Sequence, residues 1–155
     1  MGKKLIVALA AAGLFAPAPA ENSAGPRTFV AQVYQRATRD RHFSYASLRL
    51  LTPDLYDLVQ HGGGGKARGP LDYDPICQCQ DNDGLSAQIV SIAVSGDRAV
   101  AQIMLRFDAV PSPPPQRVTL ILTRTPLVGW KIADIQTSRV PSLRAMLGRR
   151  ASTRG

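Results

Sequence analysis

The chain has 155 residues, of which 45% are hydrophobic, and its 19 lysines and arginines outnumber its 11 aspartates and glutamates. This length is enough to bury an apolar core without disulfide or metal supports, and it predicts one domain. The basic residues are spread along the chain and no basic stretch carries interleaved stacking aromatics, which argues against nucleic acid as a partner.

The first twenty residues have the pattern of an export signal. Lys3 and Lys4 precede the apolar run 5–16, and the small residues at 18–20 fit the positions that a signal peptidase reads. The apolar run is shorter than the roughly 20 residues of a stable membrane span. We therefore expect residues 1–20 to be a cleaved signal peptide, the mature chain to be periplasmic, and no stable membrane insertion after cleavage.

Two helices are predicted after a linker at residues 21–26. In the stretch "RTFVAQVYQRATRDR" the apolar residues recur every three or four positions, which is typical of a helix with one buried side. These residues are Phe29, Val30, Val33, Tyr34 and Ala37. The stretch "LTPDLYDLVQHGGGG" predicts a second helix, because Pro53 suits the first helical position and the glycines at 62–65 end it.

From Leu85 onward the pattern changes from helical to extended. Four strands are predicted, with the sequences "LSAQIVSIAV", "AVAQIMLRFD", "RVTLILTR" and "WKIADIQT". In the second strand, apolar residues occupy every other position from Ala99 to Phe107, as expected for a strand with one buried face. The stretch "PSPPPQ" separates the second strand from the third, because proline cannot donate to a sheet ladder.

Helices followed by consecutive strands predict an α+β fold, in which the N-terminal helices pack on a curved, four-stranded antiparallel meander. The stretch "PSLRAML" predicts a short closing helix. We expect a single domain over residues 27–147 and a basic, disordered tail over residues 148–155.

This order of elements, and the last strand "GWKIADI" in particular, resembles the cone-shaped α+β fold of the nuclear-transport-factor-2-like superfamily. That superfamily includes ketosteroid isomerase, scytalone dehydratase and many domains that only bind. The stretches "LDYDPICQCQD" and "LTPDLYDLV" are further similar to a family of exported bacterial proteins of unknown function within it. The resemblance covers about residues 27–147 and implies a cone-like hollow, but it brings no established catalytic residues.

The segment "LDYDPICQCQDNDG", residues 71–84, contains four aspartates and both cysteines of the chain. A helix–loop–helix calcium site is excluded, because aligning Gly84 with the loop glycine puts Cys79 first and Val90 twelfth. In an extended segment, Cys77 and Cys79 would lie about 6.6 Å apart, near the upper limit for a disulfide. Three alternatives stay open for the pair: a strained and easily reduced disulfide, two inert thiols, or two ligands of a metal ion.

Candidate pocket or loop residues come from this segment and from aromatic positions elsewhere; they are Tyr34, His42, Tyr45, Asp72, Tyr73, Asp74 and Trp130. The favoured role of Asp72 and Asp74 is to accept backbone N–H bonds; a buried carboxylate beside the hollow would instead have a raised pKa and act as a base. His42 with a tyrosine or Asp72 forms an alternative acid–base pair, and Trp130 is expected to anchor the sheet to the helices.

The stretch "HGGGGK" does not indicate a lipase oxyanion hole, because the chain has no nucleophile elbow. It does not indicate a phosphate loop either, because its sequence context differs from that motif. No catalytic residue, metal site or cofactor is therefore predicted.

The function expected from the sequence is that of a periplasmic, non-catalytic domain that binds a small molecule or an envelope protein. Open-faced sheets of this kind often pair, so a homodimer is an expected form. Two alternatives remain. One is an isomerase-like or dehydratase-like enzyme with an aspartate or histidine base in the hollow, and the other is a thiol redox role for Cys77 and Cys79.

Overall fold

The computed structural model describes residues 25–40, 43–61, 71, 73–108, 111 and 113–152. The predicted signal peptide lies outside these residues, and so do the candidate site residues His42 and Asp72. The helices are α1 (Pro26–Arg39), α2 (Pro53–His61) and α3 (Leu143–Ser152), and the strands are β1 (Leu85–Ser95), β2 (Arg98–Phe107), β3 (Gln116–Thr125) and β4 (Gly129–Thr137).

The four strands form one open antiparallel sheet in the order β1-β2-β3-β4. This confirms the predicted α+β class and the meander, because each strand pairs with the next one in the chain. A two-residue turn at Gly96 and Asp97 joins β1 to β2. Gly96 has a φ of 59°, which glycine adopts readily at the first position of such a turn.

One face of the sheet carries the apolar core. The buried residues of the two central strands alternate with less buried ones; they are Ala99, Ala101, Ile103 and Leu105 on β2 and Val118, Leu120 and Leu122 on β3. This alternation confirms the face predicted from the sequence. The register shifts in β1 between Ile89 and Ser91, and again where β4 pairs with Ile121 and Leu122 of β3. Such bulges change the direction of a strand locally.

The helices contact the sheet and one another. α1 contacts β1 and β2, whereas α2 and α3 contact β4 and each other. The buried residues of α1 recur at the predicted helical spacing; they are Val30, Val33, Tyr34 and Ala37. On the exposed side, Arg144 of α3 forms an ion pair with Asp54 of α2. The buried residues from these elements form one apolar cluster.

The chain between α1 and α2 runs along the edge of β4. The amide of Thr52 donates to the carbonyl of Ile132 at 2.9 Å, and the amide of Ile132 donates to the carbonyl of Leu50 at 2.7 Å. The ammonium group of Lys131 donates to the carbonyls of Leu48 and Arg49, at 2.6 and 2.7 Å. Burial lowers the pKa of Lys131. The two backbone bonds of Ile132 occupy polar groups that β4, as an edge strand, would otherwise expose.

Helix α3 is longer than the sequence indicated. It continues to Ser152 and so enters the region 148–155, which was expected to be a disordered tail. Leu143 and Leu147 are fully buried and fix the first turns of α3. A helix that is fixed at one end adds each further residue at little cost.

Among the described residues, no helix combines the length and the apolar character that crossing a membrane requires.

Candidate functional site

Two clefts border the residues that the sequence singles out. The larger has a volume of about 920 Å³; we call it the arginine cleft and define it by Arg36, Arg49, Asp97, Arg124, the turn 126–128 and Trp130. The smaller has a volume of about 310 Å³; we call it the cystine cleft and define it by Phe43, Asp74, Cys77, Cys79 and residues 80–83.

Helix α1 supplies one wall of the arginine cleft. Phe29, Val33 and Arg36 all line it, and their spacing of three or four residues places them on one face of the helix. Val33 is buried and Phe29 packs against the core, whereas Arg36 is exposed. This wall is therefore apolar over the first part of the helix and positively charged one turn later.

Arginines set the charge of the arginine cleft. Arg36, Arg49 and Arg124 come from three separate parts of the chain, and the acidic residue that lines the cleft with them is Asp97. The amide of Arg124 donates to the carbonyl of Asp97 at 2.7 Å, which holds the β1–β2 turn beside β3. Guanidinium groups bind carboxylate and phosphate through paired hydrogen bonds, so the cleft favours an anionic occupant.

The β3–β4 turn exposes apolar side chains at the arginine cleft. Leu127 is fully exposed and Val128 is 65% exposed. Leu127 also has a φ of 67°, in the left-handed region that is unfavourable for a residue with a Cβ. The amide of Val128 donates to the carbonyl of Pro126 at 2.8 Å and tightens the turn. Backbone strain and exposed apolar surface at the same position are typical of a binding site.

Trp130 joins this cleft to the core. It lies at the start of β4, is 7% exposed, packs within the apolar cluster and lines the arginine cleft. It is the single tryptophan of the chain. Its fluorescence therefore reports on this cleft without a competing signal.

The aspartate–cysteine segment forms a compact loop that is fastened to α1. The amide of Asp74 donates to the carbonyl of Cys79 at 2.8 Å, and the amide of Ile76 donates to the Asp74 carboxylate at 2.7 Å. From α1, the Tyr34 hydroxyl donates to the carbonyl of Ile76 at 3.1 Å. The side chain of Asn82 donates to two carbonyls at the carboxyl end of α1, at 2.6 and 3.1 Å. Asp74 therefore organises the loop.

Cys77 and Cys79 are joined by a disulfide, and their Cα atoms are 5.2 Å apart. This spacing is shorter than that of an extended segment, because Gln78 adopts a φ of 58° and kinks the chain between them. Of the three alternatives for the pair, the structure adopts the disulfide. Cys77 is only 4% exposed, whereas Cys79 is partly exposed.

Asp74 is a partly buried carboxyl group that lies near Tyr34 and Tyr45. Burial raises the pKa of Asp74 from 3.8 to about 6, although the backbone amides of Ile76, Cys77 and Tyr45 oppose this shift. Burial raises the pKa of Tyr45 to about 12, and electrostatic repulsion from Asp74 and Tyr73 adds to this shift. The pKa of Tyr34 is also raised, first by burial and then by Asp74. The carboxyl group can thus gain or lose a proton near neutral pH while these two tyrosines stay neutral.

The structure divides the candidate residues. Asp74 lines the cystine cleft and Trp130 lines the arginine cleft. Tyr34 lines neither, because its ring is buried and its hydroxyl is bonded to the loop. Tyr45 and Tyr73 are half-buried near Asp74. Since His42 and Asp72 lie outside the described residues, the acid–base pair of the enzymatic alternative stays a prediction.

Sequence reasoning missed the convergence of the arginines. The helical pattern correctly places Arg36 on the exposed side of α1, but it gives no sign that Arg49 and Arg124 lie beside it. The exposed turn had one signal that could have been used: the hairpin turn "TPLVG" carries two consecutive apolar residues, Leu127 and Val128, where polar residues are usual.

Neither a metal centre within the described residues nor a matched relative indicates a function. Within the described ranges, no group of three or more histidine, cysteine, aspartate or glutamate residues could hold a metal ion. No family model, curated protein or solved structure matches the chain. The chemistry of the two clefts is therefore the basis for a proposed function.

Proposed function

We propose that the protein is an exported, non-catalytic binding domain whose arginine cleft takes a small amphipathic anion. The observation that carries the proposal is that Arg36, Arg49 and Arg124 meet an exposed apolar turn in one cleft. The acidic group of the ligand would bind the guanidinium groups, and its apolar part would cover Leu127 and Val128. A volume of about 920 Å³ suits such a molecule, since small-molecule sites commonly measure about 300–1,000 Å³.

Two energetic contributions support this choice of ligand. Covering apolar side chains contributes about 25 cal/mol per Å² of surface removed from water. A hydrogen bond to a charged group contributes about 1.5–3 kcal/mol. A purely polar anion would leave Leu127 exposed, and a neutral apolar molecule would leave the arginines without an anionic partner in the ligand.

The cone-like form of the nuclear-transport-factor-2-like fold and the periplasmic location belong to the same proposal. The motifs "GWKIADI" and "LDYDPICQCQD" support the fold, and the apolar run after Lys3 and Lys4 supports export. A hollow between α1 and the sheet is compatible with the arginine cleft, which is lined by α1 and by the β1–β2 and β3–β4 turns.

A fluorescence titration tests the proposed ligand class. Trp130 is the single tryptophan and lines the cleft, so we expect its emission to change on addition of decanoate or decyl sulfate. Decanol has the same apolar chain without the charge and serves as the matched ligand. The proposal fails if decanol binds as tightly as the two anions, or if none of the three changes the emission.

Arginine variants locate the binding site. Arg36→Gln and Arg49→Gln should each weaken decanoate binding about tenfold, because each removes one charge-assisted hydrogen bond. Arg139→Gln is the control, since Arg139 is exposed and does not line the cleft. Equal weakening in all three variants would indicate non-specific attraction to a basic protein and would contradict a defined site.

A further inference from the structure

We propose that the Cys77–Cys79 disulfide is a thiol–disulfide exchange site that oxidises a thiol pair on a partner protein, with Cys79 attacked first and Cys77 as the leaving sulfur. This inference does not depend on the ligand proposed for the arginine cleft. It is carried by the geometry of the loop, by the unequal exposure of the two cysteine residues and by the acidic rim of the cystine cleft.

A structural role accounts poorly for this disulfide. A disulfide stabilises a fold mainly by restricting the unfolded chain, and that effect is small when two residues lie so close in sequence. Other contacts already hold the loop: the backbone bond from Asp74 to Cys79, the bond from Tyr34 to Ile76 and the cap that Asn82 places on α1. The loop can therefore keep its position when the disulfide is open.

The backbone between the cysteines favours opening. Gln78 has a φ of 58°, in the left-handed region that is unfavourable for a residue with a Cβ. The disulfide spans Gln78, whose side-chain amide also donates to the carbonyl of Pro75 at 2.9 Å, so reduction would remove one of the constraints on this conformation. A disulfide that maintains local strain is more readily reduced than an unstrained structural disulfide.

The two cysteines differ in exposure and surroundings. Both line the cystine cleft, but Cys79 is partly exposed whereas Cys77 is 4% exposed, so an incoming thiolate reaches Cys79 more readily. The Cys77 sulfur lies 3.7 Å from the carbonyl oxygen of Asp74 and 3.5 Å from that of Cys79. Once Cys77 has left and taken up a proton, its thiol can donate to either oxygen, so the buried thiol formed in the first step has acceptors in place.

The exchange is balanced in atoms and electrons. The first thiolate of the partner forms a bond to the Cys79 sulfur, the Cys77–Cys79 bond breaks, and its electron pair leaves with the Cys77 sulfur, which takes up a proton. The second thiolate of the partner then attacks the partner's own sulfur in the mixed disulfide, and Cys79 leaves and takes up a proton. Each partner thiol gives its proton to water before it attacks, and each leaving sulfur takes a proton from water. In net, two electrons and two protons pass from the partner's thiols to Cys77 and Cys79, and the partner gains a disulfide.

The rim of the cystine cleft indicates the kind of thiol it accepts. Asp74, Asp81 and Asp83 line the cleft together with the cysteines, and Asp81 and Asp83 are exposed. Exposed carboxylates repel an acidic thiol and attract a cationic one. The partner is therefore expected to carry its thiol pair beside lysine or arginine residues.

Two synthetic peptides test the reaction on the oxidised, full mature chain. Both carry two reduced cysteines, flanked by lysines in one peptide and by glutamates in the other. Samples are quenched with acid and alkylated, and the reduced fraction of Cys77 and Cys79 is measured by mass spectrometry. We expect the lysine peptide to open the disulfide roughly tenfold faster than the glutamate peptide, while circular dichroism shows that the reduced protein stays folded.

Trapping experiments identify the attacked sulfur. With the oxidised lysine peptide, Cys77→Ser should form a mixed disulfide through Cys79, and Cys79→Ser should form much less because Cys77 is buried. If a variant does not fold, a peptide with a single cysteine is trapped on the wild-type chain and the modified residue is mapped. Trapping on Cys77, equal rates for the two peptides, or opening only at the rate of global unfolding would each overturn the proposal.

Discussion

The carboxyl group of Asp74 makes stability depend on pH, because burial raises its pKa from 3.8 to about 6. The folded chain holds this proton more tightly than the unfolded chain does. Its contribution to stability is therefore full below a pH of about 4 and is lost as the pH rises through about 6. A shift of about two units corresponds to at most about 3 kcal/mol.

Asp74→Asn should remove most of this dependence. Asparagine keeps an oxygen that accepts the amide hydrogen of Ile76 and has no proton to lose in this range. Urea unfolding at about pH 4 and pH 7 should therefore show a smaller loss of stability in the variant than in the wild type. Asp81→Asn is the matched control, because Asp81 lines the same cleft but is exposed. A wild-type profile that rises over this range would contradict the assignment.

The sequence predicted part of the chemistry at single residues. The Asp-Pro pair correctly indicated that Asp74 organises a turn, because that preference is local to the chain. The arrangement of the cysteines could not be predicted, since it depends on the left-handed conformation of Gln78, which glutamine seldom adopts. The burial of Tyr34 followed from helical spacing, but its bond to Ile76 is a contact between distant parts of the chain.

Asp134 connects the last strand to the last helix. Its carboxylate accepts the Ser142 hydroxyl at 2.7 Å and the Arg144 amide at 2.9 Å, and the Ser142 hydroxyl oxygen accepts the Ala145 amide at 3.0 Å. These bonds satisfy amides in the first turn of α3, which have no partner within the helix. A single side chain on β4 thus fixes the start of α3.

Asp134→Ala should lower the free energy of unfolding by about 1–3 kcal/mol, because the first turn of α3 loses acceptors. Asp134→Asn keeps one carbonyl oxygen and should lose less. Asp57→Ala, at an exposed position on α2, is the control and should change stability by under about 0.5 kcal/mol. Urea denaturation measures all three variants. A loss in Asp134→Ala no larger than in Asp57→Ala would show that the bonds contribute little.

Periodic elements were predicted well and their connections were not. The strands lie within one or two residues of their predicted positions, because alternation of apolar residues is a strong local signal. The register shift near Ile89 and the pairing of Thr52 with Ile132 leave no such pattern. Both depend on contacts between segments that are distant in the sequence, and a single sequence carries no local pattern for such contacts.

At the scale of the molecule, the two clefts differ in chemical character. The arginine cleft combines positive charge with exposed apolar surface, whereas the cystine cleft has carboxylates around a disulfide. α1 contributes to both, through Arg36 in the first and Ala37 in the second. These neighbouring residues lie on different faces of the helix, so one element contributes to two clefts that can be altered separately.

A comparison of two leucines tests whether α3 belongs to the same folding unit as the sheet. Leu147 on α3 is fully buried in the cluster that also contains Trp130, whereas Leu127 is fully exposed. Leu147→Ala should cost roughly 2–5 kcal/mol, because it leaves a cavity in a packed core. The same substitution at Leu127 should change stability by under about 0.5 kcal/mol.

Both variants are followed by Trp130 fluorescence and by far-ultraviolet circular dichroism during urea unfolding. Because α3 and the sheet share one core, Leu147→Ala should shift the midpoints of the two signals equally, as a two-state transition requires. A shift in circular dichroism alone would mean that α3 unfolds separately from the sheet. In that case the domain would end before α3, and the expected disordered tail would begin earlier than residue 148.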